Sequence, residues 1–224
     1  MNFLSHYYFD KDKNSPYEVF GMLLPDLLKN ADKSWTIHPE KKEQLFLKHP
    51  NQAAILKGWK RHLLVDRIFH NSPYFKHHQH QLKLSLSQAI TSSPVKPFFI
   101  GHIGIELLLD NLLITQKLLS VEKLFDQLKQ VSEAEIELFL TFNQIPDQQK
   151  FLRYFDSFIT NQYVYSYAEE EKITYAIKKI CMRLWDNPFT AEQELAITER
   201  LIAYKKCLRK DFIIIFDQIS AQIN

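Results

Sequence analysis

Glycine and cysteine are both scarce in this sequence, four and two of 224 residues. So little glycine, with few alternating Val-rich runs, argues against a sheet protein. Two cysteines, Cys181 and Cys207, exclude a disulfide framework and lie far from metal-finger spacings, so they read as reduced core thiols in a cytoplasmic protein. An excess of one charge is missing too. The 28 Lys and Arg against 26 Asp and Glu leave a formal net charge of +2 with no long like-charged block, and nothing in that balance calls for a nucleic-acid partner. The opening "MNFLSHYYFDKDKN" lacks the basic, apolar and small-residue succession of an export signal, and no apolar run reaches the roughly 18 residues of a membrane span.

What the chain does have is apolar periodicity. Its 46% hydrophobic content, with 17 Phe and 10 Tyr, suffices for a sizeable core. Repeated 3.6-residue patterns predict an all-α protein, a single helical domain over residues 1–224. Ser15-Pro16 starts a helix through "YEVFGMLL" that Pro25 should end or kink just before Asp26. Residues 31–50 read as a loop. A helix runs from Asn51 to about His70, "NSP" breaks it, and another follows from Tyr74. "TSSPVKP" is a linker before "FFIGHIGIELLLDNLLITQ", the most apolar helix of the chain. Further amphipathic helices fall near 119–130, 133–143, 147–163 and 168–185, and a long one starts at Thr190. The C-terminal helices, 116–224, should cover the earlier ones, because a helix apolar on all sides needs neighbours on all sides.

Two helices carry chemistry. His62, Asp66 and His70 recur at steps of four, and so do His102, Glu106 and Asp110. A step of four turns an α-helix by about 400°, so each triplet forms one slowly drifting stripe. Burying carboxylates among Phe98, Ile103, Leu107 and Leu113 is costly unless a cation or strong hydrogen bonds compensate. A divalent metal between the stripes supplies that compensation. Three other features have plainer readings. His77, His78 and His80 form a solvated helix face, Glu169 to Lys172 is a first-turn charge cluster, and Tyr163, Tyr165 and Tyr167 belong to irregular core packing.

The segments "MNFLSH", "GMLLPDLLK" (Gly21–Lys29), "GWKRHLLVDRIFHNSP" (Gly58–Pro73) and "IELLLDNLL" (Ile105–Leu113) occur in an order and spacing that resembles the acyl carrier protein phosphodiesterase family. The resemblance covers the first half of the chain, with the metal-site motifs in 1–115. It implies a helical fold related to the HD-type metal-dependent phosphohydrolases, and release of 4′-phosphopantetheine from holo acyl carrier protein as the reaction. His6, Asp26, His62, Asp66 and Asp110 match positions of the family's motifs. The chain departs from the pattern at Leu63 (commonly Arg), His70 (Asp), Glu106 (Asp) and Asn111 (His), and His102 is an addition.

The resemblance implies a divalent metal, manganese first and iron, zinc or magnesium as alternatives, held by His62, Asp66 and Asp110, with Asp26, His6 and Glu106 completing the shell. His70, His102 and Asp66 are the catalytic candidates, with either histidine able to protonate the leaving oxygen. Lys60, Arg61 and Arg67 are candidates for meeting a phosphate or an acidic carrier protein. Two other readings stay open: an HD-like hydrolase of a small phosphoester or nucleotide, and a non-catalytic binding protein of the same fold.

Overall fold

The computed structural model describes residues 1–223; Asn224, the last residue of the expected domain, lies outside them. Every regular element among the described residues is a helix. In chain order these are α1 (Phe3–Tyr7), α2 (Pro16–Ala31), α3 (Glu43–Phe46), α4 (Pro50–Asn71), α5 (Pro73–Ser87), α6 (Pro97–Thr115), α7 (Val121–Leu128), α8 (Glu133–Phe142), α9 (Gln148–Asn161), α10 (Glu170–Cys181), α11 (Ala191–Leu208) and α12 (Ile213–Ile223). Short 3₁₀ turns lie at Tyr8–Asp10, Pro39–Lys42 and Tyr163–Ala168. Proline opens α2, α4, α5 and α6, where its missing N–H costs nothing. Side chains of Ser72, Ser120, Ser132, Asp147 and Thr190 accept a backbone N–H at the starts of α5, α7, α8, α9 and α11.

Several boundaries differ from the sequence reading. Pro25 neither ends nor breaks α2, which continues to Ala31. Contacts of α2 with α4, α7 and α9 outweigh the roughly 3 kcal/mol that an interior proline costs. The expected loop over 31–50 contains a 3₁₀ turn and α3. The helix from Thr190 is two helices: the chain turns at Arg209 to Phe212, and α12 folds back onto α4, with Phe216 packed on Tyr8 and Phe9 at 4.7 and 5.8 Å. Cys207 is exposed, so only Cys181 is a core thiol. His78 is not on a solvated face either; it is buried, with Nδ1 2.8 Å from the Tyr204 hydroxyl.

Helix α6 has the length and apolarity of a membrane span, yet other helices cover it. It runs through the middle of the molecule against α1, α5, α10, α11 and the 3₁₀ turn at Tyr163–Ala168. Beside it, α2 and α4 form the closest helix pair. A methyl group on Gly21 would sit 2.1 Å from the Ile55 carbonyl oxygen, and one on Gly58 2.1 Å from that of Glu18. Only glycine permits this approach, which brings the Met22 carbonyl within reach of His62.

Gly58→Ala should therefore push α2 and α4 apart and cost about 1–3 kcal/mol or more. Urea unfolding measures it; a change below about 0.5 kcal/mol would show that the helix pair tolerates the extra carbon.

Candidate metal centre

Helix α4 carries His62, Asp66 and His70 one turn apart, as the stripe requires. The His62 ring is buried and its Nδ1 donates to the Met22 carbonyl at 2.8 Å, which leaves Nε2 as a free lone pair, 3.6 Å from Asp66 Oδ2. His6, carried by α1, stacks on His62 with ring centres 3.8 Å apart. Its Nε2 lies 3.2 Å from Asp66 Oδ1, but the approach is off-axis, and neither His6 nitrogen makes a hydrogen bond although the ring is fully buried. Burial holds both imidazoles below their ordinary pKa, against the pull of Asp66, so both are neutral at neutral pH. Neutral imidazole is the ligating form.

A second set adjoins the first. His70 donates Nδ1–H to the carbonyl of Asp66 at 2.9 Å, and its Nε2 is in hydrogen-bond contact with Glu106 Oε1 at 3.1 Å. His102 places Nε2 3.2 Å from the same oxygen. Within each trio, His6–His62–Asp66 and His70–His102–Glu106, the ligand atoms lie within 4.8 Å of one another.

A cation already bridges the two sets. The Met1 ammonium sits 2.7 Å from Asp66 Oδ1 and 3.2 Å from Glu106 Oε1. Burial disfavours its charge, but Glu106, Asp66 and Asp26 outweigh that and push its pKa up to about 11. Burial acts to raise Asp66 and Glu106 as well, yet the ammonium and the neighbouring histidines hold both carboxyls far below their ordinary range. Asp26 goes the other way. Burial, and then the Asp66 carboxylate, raise it well above the usual value, and its Oδ2 has no hydrogen-bond partner. Three carboxyl groups thus share one positive charge.

This donor set fits a divalent metal: orphaned buried nitrogens, a free lone pair on a ring tied through its other nitrogen, and a monocation standing in between two carboxylates. Two imidazoles and one carboxylate per set suit manganese, iron or zinc, whereas magnesium prefers all-oxygen shells.

Not every expected ligand belongs to it. Asp110 accepts from Asn2 Nδ2 (2.9 Å), Leu4 N–H (3.1 Å), Ser5 N–H (2.8 Å) and the Ser5 hydroxyl (2.6 Å), two donors on each oxygen. Its lone pairs are used, so it anchors α1 and is no ligand. Burial pushes its carboxyl up to about 6 against these hydrogen bonds, which leaves it ionised at neutral pH. Asp26 stands outside both trios, beside the ammonium. His70 and His102 point at Glu106, so neither is a free proton donor. The basic candidates are misplaced as well: Lys60 pairs with Glu43 at 2.6 Å, Arg61 with the buried Asp10 at 3.3 Å, and Arg67 is exposed on another face.

No protein family, curated protein or solved structure matches the chain.

Most of the cations that share a cavity with Met1, Asp26 and Glu106 come from the C-terminal half. A cavity of about 430 Å³ is lined by Met1, Asp26 and Glu106 together with Lys29, Lys172, Lys179, Arg183, Tyr154, Tyr163 and Tyr167; the four histidines of the two trios are not part of its lining. Among the described residues, Lys172, Lys179 and Arg183 have no carboxylate partner; Lys179 instead lies 5.3 Å over the Tyr175 ring. The buried Asn111 donates to the carbonyls of Tyr167 and Ala168 at 2.7 and 3.1 Å and so secures the turn that presents these tyrosines. The signal for this wall was present in sequence: 172, 175, 176, 179, 180 and 183 form one stripe along α10 and the turn after it.

Two outcomes follow. Asp110→Ala should cost about 3–5 kcal/mol at neutral pH, because it orphans the buried N–H groups of Leu4 and Ser5; urea unfolding checks this. For Asp26, a raised carboxyl contributes stability that is complete below the unfolded carboxyl pKa and is lost as pH rises through the folded value. Asp26→Asn should remove that loss and raise the melting temperature of the metal-free protein at pH 7, by roughly 2–4 °C per kcal/mol relieved. A lower melting temperature would mean that Asp26 is an ionised, stabilising partner.

Proposed function

We propose that the protein is a metal-dependent phosphoester hydrolase. One observation carries the reading: Asp26, Glu106 and Met1 line the same cavity as Lys172, Lys179 and Arg183, and the Met1 ammonium also pairs with Asp66 of the His6–His62–Asp66 trio. A bound divalent ion supplies Lewis acidity, acidifying water and drawing charge from a phosphoryl oxygen. His6, His62 and Asp66 hold the ion. Lys172, Lys179 and Arg183 bind the anionic phosphoryl group and stabilise the charge that develops on it. Asp26, a carboxyl kept protonated next to the centre, gives its proton to the leaving oxygen. The tyrosine wall excludes water from the organic part of the substrate.

The finer proposal is a phosphodiester, with the phosphopantetheinyl serine of holo acyl carrier protein as its physiological form; a slender amide arm suits a tyrosine-lined cavity of this volume. One observation favours a second reading, a small free phosphoester. Lys60 and Arg61 are tied up by Glu43 and Asp10, which removes two cations from any surface for an acidic carrier protein.

Hydrolysis of bis(4-nitrophenyl) phosphate and of holo acyl carrier protein, assayed in parallel with Mn²⁺ or Zn²⁺, separates these. Turnover of at least one is expected. His62→Ala should lower it by roughly a hundredfold or more with the helical circular dichroism unchanged. Replacing Lys172 and Lys179 together by alanine should raise KM more than it lowers kcat. Cleavage of the chromogenic ester alone supports the small-molecule reading, and no metal-dependent cleavage of either supports a binding protein.

A further inference from the structure

We infer that the centre is dinuclear: His70, His102 and Glu106 form a second divalent-cation site beside the one formed by His6, His62 and Asp66. The inference concerns metal stoichiometry and stands whether or not the substrate is a phosphoester.

Four observations converge. The first is the donor geometry. Ligands about 2.0–2.1 Å from one ion are separated from each other by roughly 2.9–3.4 Å, between the octahedral and tetrahedral limits. Glu106 Oε1 lies 3.1 Å from His70 Nε2 and 3.2 Å from His102 Nε2, inside that range before any ion draws them in.

The second is the tautomer. His70 gives Nδ1–H to a backbone carbonyl, as His62 does in the first trio, and this orients the ring so that Nε2 is the nitrogen directed at the carboxylate. Metal-bound histidines are commonly oriented in this way. His70 Nε2 and Glu106 Oε1 are in hydrogen-bond contact at 3.1 Å, so a proton now holds the place that an ion would take.

The third is access with a firm backing. The His70 and His102 side chains are 31% and 30% exposed, so an ion can enter from solvent. The buried Phe69 and Phe75, 5.1 and 5.0 Å from the His70 ring, and Phe75, 5.0 Å from that of His102, hold the two rings from the inner side.

The fourth is adjacency. Asp66 and Glu106 share the Met1 ammonium, and His70 Nδ1 is 3.9 Å from Asp66 Oδ1. The two sites are therefore neighbours joined by one cation, and two-metal hydrolases use adjacent ions to act on one phosphoryl group. Two divalent ions bring four positive charges to a centre where three carboxyl groups now share one.

The simpler account is a proton: one imidazolium among His70, His102 and Glu106 would join the same atoms without any metal. Calorimetric titration with Zn²⁺ or Mn²⁺, together with metal analysis after buffer exchange, distinguishes the two. Wild type should bind two equivalents, and His102→Ala and His62→Ala one each. Glu106→Gln, which keeps the shape of the side chain, should also bind one, and guards against a folding defect in His102→Ala. With Mn²⁺, the paramagnetic resonance spectrum of wild type should show an exchange-coupled pair that His102→Ala converts to a single-ion signal. One equivalent in wild type, or two in His102→Ala, overturns the second site and leaves the proton-shared cluster. Binding of no ion overturns it and the metal-dependent hydrolase together. Two ions without hydrolysis of either ester keeps the second site and removes the proposed function alone.

Discussion

The carboxylate of Asp110 is the fixed point on which the centre is built. It lies at the core of α6, buried among leucines, with no basic side chain to neutralise it. Four donors from Asn2, Leu4 and Ser5 satisfy it instead. An isolated buried carboxylate costs several kcal/mol, so the first residues of the chain cannot leave without exposing that cost. Their docking has two consequences. It lays the His6 ring on His62, and it inserts the Met1 ammonium between Asp66 and Glu106. Helix α1 has only five residues and no stability of its own; α6 supplies it through one side chain.

A second constraint supports the first. The stripe on α4 is useful only if α4 stands at the right depth, and the glycine contact with α2 sets that depth. Gly21 and Gly58 let the backbones meet, and the Met22 carbonyl, one residue beyond Gly21, then takes the Nδ1 proton of His62. Glycine is rare in this chain, and these two positions are where its missing side chain decides a functional orientation.

Much of this was legible in sequence. The spacing of four in His62, Asp66 and His70, and in His102 and Glu106, places those side chains on facing stripes because helical geometry leaves no alternative. The all-α class followed from apolar period, and proline at the first helical position marked the start of α2, whereas Pro50, Pro73 and Pro97, which the sequence pattern places in a loop, a break and a linker, open α4, α5 and α6. Periodicity does not say which oxygen a backbone amide will reach. Asp110 continues the α6 stripe and still serves a different purpose, since α1 arrives over it and takes its lone pairs. Periodicity is equally blind to contacts far apart in sequence. Lys60 and Arg61 sit on α4, and their charge goes to Glu43 and Asp10, while most of the cations that line the cavity, Lys172, Lys179 and Arg183, come from α10 and the turn after it, more than a hundred residues later. The break at Arg209 to Phe212 carries no glycine or proline. It is made by the packing of Phe216 on Tyr8 and Phe9, which no local pattern records.

The charges at the centre explain why these groups are kept so close together. Asp66 and Glu106 are held ionised, Asp26 is held protonated, and the same ammonium lies near all three. A structural ion pair would need one carboxylate for one ammonium, and the surplus would be replaced at little cost by apolar side chains of similar volume. The surplus is instead surrounded by four imidazole rings, two of which, His6 and His62, have a nitrogen that makes no hydrogen bond. Such an arrangement stores repulsion that a monocation cannot relieve and a divalent ion can. The fold supplies the energy for that from elsewhere: α6 lies buried among five other elements, and the glycine-tight pair of α2 and α4 braces the other side. The centre thus gathers buried charge on a frame of apolar and glycine-tight helix contacts, the relation expected where side chains are arranged for binding rather than for packing.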